Sequence, residues 1–419
     1  MDGTSTKSGQ DMPAAHSTRM VDVFSSLISP ESAPSQTPVH AKRVEPQVAL
    51  EPVPDPRRHS PHVHSLAHQN LGFDEWPRFD AAFKRVLSSL PDELLARELL
   101  RPFEGTGVEK LRDIGLRARA FKTLFEAWEA LHLVWRGDIP YIRQDVVQYL
   151  RHRHEREKLP SKRLAQASGA YESYRYIFQQ LSQLLFPWTA PYFADHMSLH
   201  VHFHGGGRGI VFTAGDGQAP YLLASILSFR QLGCTLPIEV MYLGDADLSE
   251  DYRAELEALE GVITRDLSQM INDEGWKLAG WAAKPFAILY SSFREVLFVD
   301  ADALFFINPE LLFDDSLYLQ TGALFFKDRL IMPESKKPWL QQILPKPVSK
   351  QVKQSRLWRG ESAHMQESGA MVVDKWRHFV ALLMVTRMNG PDRDGNEDEG
   401  RIGVYDMVYG TSLACFPIY

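Results

Sequence analysis

Cysteine is scarce in this 419-residue chain, and Cys234 and Cys415 define neither a disulfide framework nor a metal-ligand spacing. Long apolar runs are lacking too: no stretch of about 18 residues suits a membrane span, and the first 20 residues lack the apolar segment of a signal peptide. No Asn-x-Ser/Thr acceptor for N-glycosylation occurs. The sequence alone therefore predicts no disulfide scaffold, no transmembrane segment and no signal peptide.

Positive charge is also limited. The formal net charge is −7 and the isoelectric point is near 6.1. Nonspecific nucleic-acid binding needs a basic face that displaces counterions from phosphates, so we expect no nucleic-acid partner. An acidic substrate would need a local basic group or a metal ion.

Three regions differ in composition and in apolar spacing. Residues 1–70 are rich in Ser, Pro, His and Gln and predict a disordered tail. Residues 71–203 show helical spacing and predict a helical stem or subdomain. From residue 204 to 419, short apolar runs alternate with amphipathic helices, which predicts an α/β domain with a mostly parallel sheet.

Two carboxylates follow the most apolar of these runs. Val296–Val299 suits a strand buried on both faces, and Asp300 and Asp302 come directly after it, with Ala301 between them. Ligands of open α/β sheets bind outside the carboxyl ends of the strands. Two carboxylates at this spacing can hold one hard divalent cation, which neutralises the charge that develops on a diphosphate leaving group.

Two other interpretations of this pair stay open. Asp300 could cap a turn while Asp302 is merely exposed. Phosphatases of the haloacid-dehalogenase type also place Asp-x-Asp after an apolar strand, with the first Asp as nucleophile. They carry Thr or Val two residues after the second Asp and place the motif on the first strand. Leu304 and the preceding α/β pattern make that class the less favoured reading.

Lys284 opens a predicted helix and places a cation at the positive end of the helix dipole. That position costs roughly 0.3 to 1 kcal/mol unless an anion lies nearby. A diphosphate at the neighbouring strand end would be such an anion. A solvated surface lysine is the simpler alternative.

Two Gly-containing segments complete the candidate pocket. Thr213-Ala214-Gly215-Asp216 ends the first predicted strand, where small residues admit a base or a ribose and Asp216 could accept a hydrogen bond. Gln366-Glu367-Ser368-Gly369 opens another apolar strand and offers polar groups beside a glycine that admits a sugar ring. Ordinary turns explain both segments equally well.

Two further patterns are tempting but are discounted as metal sites. His200, His202 and His204 alternate and would share one face of a strand, but no fourth ligand is spaced to help them. The run from Asp392 to Glu399 is similar to a calcium loop without its ligand register, and predicts a solvated acidic loop.

Taken together, four ordered segments strongly resemble the fungal alpha-1,3-mannosyltransferase family (glycosyltransferase family 71). They are residues 280–289, 295–306, 321–329 and 366–369. The resemblance covers roughly residues 205 to 410. It implies a GT-A fold (a Rossmann-like nucleotide-diphospho-sugar transferase domain), GDP-mannose as donor, manganese (Mn²⁺) as cofactor, and transfer of mannose to a mannosylated glycan acceptor with retention of configuration.

The resemblance also implies roles for individual residues. Asp300 and Asp302 would bind the metal and the diphosphate, Lys284 a phosphate, and Thr213 to Asp216 the nucleotide. Gln366 to Gly369 would line the donor sugar, where Glu367 or Gln366 would stabilise positive charge at the anomeric carbon.

Family members are type II Golgi membrane proteins with one N-terminal span, so a Golgi location and membrane association are expected, although this sequence contains no span. Members also continue after a Tyr-Gly such as Tyr409-Gly410 with Asp-Lys-Glu, whereas Thr411–Tyr419 follows here. We therefore expect a C-terminal truncation of the GT-A domain. A noncatalytic family member that binds a nucleotide sugar or a partner is the alternative function.

Overall fold

The computed structural model describes residues 76–158, 160–190, 192–193, 195–330, 333–361, 364–396 and 398–409. They belong to one of the two units into which the chain divides, Leu50–Tyr419; the other is Met1–Ala49. The predicted tail, residues 1–70, and the expected truncation after Gly410 both lie outside the described residues.

The first region is helical, as the apolar spacing predicts. Its long helices bury an aromatic-rich stripe, and a two-stranded antiparallel hairpin interrupts them. The elements are α1 (Trp76–Ser89), α2 (Glu93–Leu100), α3 (Gly107–His132), β1 (Leu133–Arg136), β2 (Ile139–Ile142), α4 (Val146–Glu157), α5 (Ser161–Leu185) and α6 (His196–His202).

The second region contains a six-stranded sheet in the order β5-β4-β3-β6-β8-β7. The first four strands of this order run parallel, and β8 pairs antiparallel with both β6 and β7. The strands are β3 (Arg208–Thr213), β4 (Ile238–Tyr242), β5 (Val262–Asp266), β6 (Glu295–Val299), β7 (Ala323–Leu330) and β8 (His364–Asp374). The prediction of an α/β fold with a mostly parallel sheet is confirmed.

Helices connect the strands and cover both faces of the sheet. They are α7 (Ala219–Gln231), α8 (Glu250–Glu257), α9 (Ala283–Tyr290), α10 (Ser316–Thr321), α11 (Pro333–Ile343), α12 (Lys350–Gln354), α13 (Arg356–Arg359), α14 (Phe379–Asn389) and α15 (Val404–Tyr409).

Strand β6 is apolar from Val296 to Val299 because both of its faces are covered. Val296 and Phe298 belong to the core that includes α9 and α14, whereas Leu297 and Val299 belong to the core that includes α7. Successive side chains of a strand point to opposite faces, so a strand covered on both sides favours an almost continuous apolar run. This arrangement confirms the predicted buried strand ahead of Asp300.

The helical region shares its core with the sheet domain. Phe125 of α3 lies with its ring centroid 5.5 Å from that of Phe379 in α14. Lys110 of α3 pairs with Asp392 at 2.9 Å, and Asp392 also pairs with Arg387 at 2.6 Å. A domain boundary between residues 203 and 204 stays a prediction. Within the described residues, no helix is long and apolar enough to cross a membrane.

The histidines at positions 200, 202 and 204 and the acidic run that starts at Asp392 have a different local structure from the one that the sequence predicted. His200 and His202 lie in α6 and His204 in a following 3₁₀ turn, so the expectation of a shared strand face was wrong. Asp392 is buried in its ion pairs rather than solvated. In the described part of the chain, no group of three or more His, Cys, Asp and Glu side chains is arranged to hold a metal ion.

Candidate active site at the carboxyl edge of the sheet

Asp300 is held in place by its own main chain. Strand β6 ends at Val299, and the next amide, that of Asp300, donates to the carbonyl of Gly369 at 2.8 Å. The carbonyl of Asp300 accepts from the amide of Ala303 at 3.0 Å. These two bonds close a turn at the strand end and fix the position from which the Asp300 carboxylate projects.

Lys284 supplies the nearest positive charge. It lies in the first turn of α9, and its Nζ is 2.7 Å from each carboxylate oxygen of Asp300. The side chains of Lys284 and Asp300 are 12% and 28% exposed, so this pair is shielded more than a surface ion pair. A lysine in the first turn of a helix needs an anion nearby, and Asp300 of the same protein supplies it.

The environment of Asp300 opposes its ionisation. Burial raises the pKa of Asp300 above its usual value, and the bonded ammonium of Lys284 partly reverses that effect. The negative charges of Asp302 and Glu367 raise the pKa further. Three carboxylates thus act on one another around a single lysine, and a further cation would relieve their repulsion.

A bulge in β8 brings a second chain segment to this cluster. Phe325 pairs with Met371 and Lys327 with Gln366, so one residue of β7 lies opposite four residues of β8, Glu367–Ala370. Bulges bend a strand and redirect its side chains, and they are frequent beside active sites. Here the extra residues place Ser368 with its Oγ 3.5 Å from Nζ of Lys284.

Glycine at position 369 permits this close approach. A Cβ added there would lie 3.1 Å from Oε1 of Glu367 and 3.4 Å from Oδ2 of Asp300. The amide of Gly369 donates to the same Oε1 of Glu367 at 2.7 Å and thereby holds that carboxylate over the bulge. The structure thus brings together Lys284, Asp300, Glu367, Ser368 and Gly369.

Asp302 and Ala301 complete the strand-end turn. Ala301 is buried, and its carbonyl accepts from Oγ of Ser225 at 3.0 Å, whereas Asp302 is exposed. Carboxylate oxygens are the donors that Mg²⁺ and Mn²⁺ prefer. Each oxygen of Asp300 has a further lone pair beyond its bond to Lys284, so Asp300 and Asp302 fit a cation whose other ligands come from a substrate or water.

Strand β3 ends at the same edge because it runs parallel to β6. Half-buried Thr213 and buried Ala214 and Gly215 lead into Asp216, whose Oδ1 accepts from the amide of Ser249 at 2.7 Å. At least one oxygen of Asp216 therefore fixes the start of α8, a contact that the sequence did not predict. The predicted nucleotide-binding role of Thr213–Asp216 stays a prediction.

Gln366 stands apart from the other predicted residues. Its side chain is exposed, and its Nε2 contacts Sδ of Met371 at 3.3 Å. The carboxylates of Glu367 and Asp300 both lie close to Gly369. The geometry therefore favours Glu367 over Gln366 as the residue that faces Lys284 and Asp300. The assignment of either side chain to catalysis stays a prediction.

A second Asp-x-Asp sequence was missed. Asp245 and Asp247 follow β4, the neighbour of β3 in the sheet. Oδ2 of Asp247 accepts from the amide of Leu243 at 2.9 Å, and Asp245 pairs with Arg253 at 2.7 Å. A search for Asp-x-Asp at strand ends would have found this turn, which packs against Gly215.

Comparison with known proteins places this site in a family. The sequence model described as “Mannosyltransferase putative” matches residues 207–410. The chain is 27% identical over 207 residues to “Putative alpha-1,3-mannosyltransferase MNN14” of Candida albicans, covering 44% of this chain and 30% of that protein. It is 25% identical over 232 residues to “Alpha-1,3-mannosyltransferase MNN1” of Saccharomyces cerevisiae, covering 44% and 30%.

A third relative is named as an enzyme that forms an alpha-1,2 linkage. The chain is 30% identical over 162 residues to “Alpha-1,2-mannosyltransferase MNN22” of Candida albicans, covering 35% of this chain and 26% of that protein. Among solved structures, a galactosyltransferase, LgtC, in complex with donor and acceptor sugar analogues matches at 17% identity. That match covers 40% of this chain and 58% of LgtC at a TM-score of 0.28.

The chain thus spans less than a third of the length of the named mannosyltransferase relatives. The matched segment nevertheless contains all six strands of the large sheet together with Lys284, Asp300, Asp302 and Glu367. Its mostly parallel sheet, with the candidate site outside the carboxyl ends of the strands, agrees with the predicted GT-A class. Over residues 207–410 the chain matches this mannosyltransferase family model and resembles fungal alpha-1,3-mannosyltransferases.

Proposed function

We propose that this chain is a metal-dependent glycosyltransferase that transfers mannose from GDP-mannose to a mannosylated glycan, as an alpha-1,3-mannosyltransferase of protein glycosylation. The printed names of the relatives support the sugar and the reaction class. The observation that carries the proposal is the Lys284–Asp300 pair at the end of β6, with Asp302 and Glu367 beside it.

In this proposal Lys284 binds the diphosphate of the donor. Its ammonium is held in the first turn of α9, where the amide dipoles also favour an anion. Ser368 adds a hydroxyl 3.5 Å from the same ammonium, so a phosphate oxygen near Lys284 would also meet a second hydrogen-bond donor. Pre-positioned donors of this kind stabilise charge as it develops on the leaving group.

Asp300 and Asp302 are the residues that would hold the cofactor, a divalent cation such as Mn²⁺. When bound, that cation supplies positive charge that neutralises a diphosphate leaving group. Asp300 is kept in register by its bond to Gly369, and Asp302 reaches outward from the same turn. The two carboxylates would therefore act from a rigid strand end, which suits pre-organised catalysis better than a mobile loop.

Glu367 is the residue that we assign to the donor sugar. Its Oε1 is fixed by the Gly369 amide at 2.7 Å, and its charge acts on Asp300. A carboxylate held beside the diphosphate site can stabilise positive charge at the anomeric carbon. Thr213–Asp216 would contact the nucleotide from the adjacent strand end.

The test measures GDP release from GDP-mannose with MnCl₂ and an α-linked mannobiose acceptor, in wild type and in Asp302→Asn. Loss of one charged group that acts on the leaving group lowers turnover by about 100-fold or more. Asp302 is exposed, so the substitution leaves folding intact. Asp245→Asn is the matched control, because Asp245 belongs to the other strand-end Asp-x-Asp and is 85% exposed.

Three outcomes are distinguishable. Turnover that falls in Asp302→Asn and persists in Asp245→Asn supports the metal and donor assignment. Saturable GDP-mannose binding without turnover in wild type would instead support the noncatalytic alternative. Turnover that is unchanged in Asp302→Asn would refute the proposed metal site.

A Golgi location belongs to the same proposal and rests on the resemblance alone. Immunofluorescence of the endogenous, epitope-tagged protein against a Golgi marker tests it. Signal confined to the cytosol would contradict it.

A further inference from the structure

A large cavity lies in the helical region, away from the residues of the candidate active site. Its volume is about 760 Å³, within the range of roughly 300 to 1,000 Å³ typical of small-molecule pockets. It is lined by α3, the β2–α4 connection, α5, and the turn that leads into α6. None of Thr213–Asp216, Lys284, Asp300–Asp302 or Gln366–Gly369 is among its lining residues.

The buried part of the cavity lining, here called the floor, is rich in aromatic rings. Trp128, Tyr171 and Phe178 are each less than 10% exposed. The hydroxyl of Tyr171 bonds to Nε2 of His132 at 3.2 Å, and that of Tyr174 donates to a backbone carbonyl at 2.6 Å. The floor therefore offers ring surface, which suits the C–H face of a ligand.

The rim differs from the floor because it is polar. Three lining glutamines, Gln144, Gln179 and Gln183, are exposed. Each amide both donates and accepts hydrogen bonds, as hydroxyl groups do. A ligand with several hydroxyl groups therefore finds hydrogen-bond donors and acceptors along this rim.

Each charged side chain of the lining already has a partner. Arg175 lies 3.5 Å from the exposed Glu172, and Arg143 lies 3.8 Å from Asp145. Asp195 accepts a hydrogen bond from the amide of Ser198 at 2.7 Å. A site for phosphate or another anion would offer unpaired positive charge instead. The pairing of these charges favours a neutral ligand.

We propose that this cavity is a second, noncatalytic binding site for a neutral oligosaccharide. The aromatic floor, the amide rim and the paired charges match a molecule with an apolar C–H face and many hydroxyl groups. The mannosyl identity of that oligosaccharide rests on the proposed function, whereas the cavity and its chemistry do not.

Packed aromatic rings lie between the cavity and helix α9 of the candidate active site. Phe186 of the cavity lining lies 5.7 Å from Trp188, and Trp188 lies 6.0 Å from Phe286 in α9, measured between ring centroids. Lys284 belongs to the same helix. An oligosaccharide in the cavity is therefore separated from α9 by these rings and does not enter the transfer site.

The test titrates the full chain with α-linked mannobiose by isothermal calorimetry, with inorganic phosphate as the comparison ligand. The test variant is the double substitution Gln179→Leu with Gln183→Leu, and the control is Gln180→Leu, on the same helix but outside the lining. Loss of two hydrogen bonds of about 0.7 kcal/mol each raises the dissociation constant for mannobiose about tenfold. The control leaves it unchanged.

The glutamine variant separates this site from the transfer site, because Gln179 and Gln183 line the cavity and no candidate active-site residue does. Mannobiose binding that weakens in the glutamine variant and persists in Asp302→Asn supports the proposal, even if GDP-mannose turnover is absent in wild type. Absence of mannobiose binding in wild type would overturn it. So would phosphate binding that weakens in the glutamine variant, or equal mannobiose affinity in the glutamine variant and wild type.

Discussion

Two buried histidines make the stability of the protein depend on pH. Burial lowers the pKa of His132 to about 4 and that of His196 to about 4, from an ordinary value of 6.5. For His132, the hydrogen bond to the carbonyl of Arg143 opposes the effect of burial, but burial dominates. Both imidazoles are therefore neutral in the folded protein at pH 5, whereas an exposed imidazole in the unfolded chain is protonated.

The sign and size of the effect follow from proton linkage. Between pH 6.5 and pH 4 the unfolded chain binds more protons at these two sites than the folded protein, so acid favours unfolding. A pKa change from 6.5 to about 4 corresponds to about 3.4 kcal/mol per histidine over the whole window. Between pH 7 and pH 5, linkage gives about 2 kcal/mol for each, or about 4 kcal/mol for both.

Urea unfolding followed by tryptophan fluorescence at pH 7 and pH 5 measures this loss. His196→Gln removes one titrating group, so we expect the pH-dependent loss to shrink by about 2 kcal/mol relative to wild type. Thr189→Val is the matched control: it removes the hydroxyl bonded to His196 at 2.9 Å but keeps the imidazole, so the pH-dependent loss stays near the wild-type value. An equal loss in His196→Gln and wild type would refute the reasoning.

Three further predictions concern the site and its support. Gly369→Ala puts a methyl group 3.1 Å from Oε1 of Glu367, so we expect the rate of GDP release to fall. We expect urea unfolding to show that the folded state loses about 1 to 3 kcal/mol of stability. Lys375→Met removes the Nζ donor that the buried carbonyl of Ser291 accepts from at 2.6 Å. Urea unfolding should show a loss of about 1 to 3 kcal/mol, against little change for the exposed Lys122→Met. Removal of divalent cations with EDTA abolishes GDP release, and MnCl₂ restores it; full activity in EDTA would contradict the cofactor assignment.

The sequence predicted the position of Asp300 because one physical rule governs it. A strand that is covered on both faces forms an almost continuous apolar run, and Asp300, the first carboxylate after that run, stands where the strand leaves the core. The dipole argument for Lys284 also holds, since the required anion is present, although that anion is Asp300 in the same protein. These features depend on local sequence, and the local sequence was sufficient.

Long-range pairing accounts for what the sequence did not predict. The bulge at Glu367–Ala370 depends on how β8 aligns with β6 on one side and with β7 on the other, and no local pattern specifies that register. The alternating histidines of residues 200–204 looked like a strand, but helix α6 forms there and packs His200 against Trp376 with ring centroids 4.0 Å apart. Tertiary packing overrode the period-two pattern.

The two Asp-x-Asp turns show where pattern alone stops being informative. Both follow a buried strand of the same sheet, Asp300 directly and Asp245 after Leu243 and Gly244. In one turn, Asp247 accepts from the amide of Leu243 and Asp245 pairs with Arg253, so the fold itself engages both carboxylates. In the other, the main chain of Asp300 closes the turn, which leaves the carboxylate to meet Lys284 and leaves Asp302 exposed. A carboxylate is available to a ligand when backbone hydrogen bonds, rather than the carboxylate itself, hold the turn on which it lies. The sequence does not show which of these groups makes the hydrogen bonds of the turn, whereas the structure does.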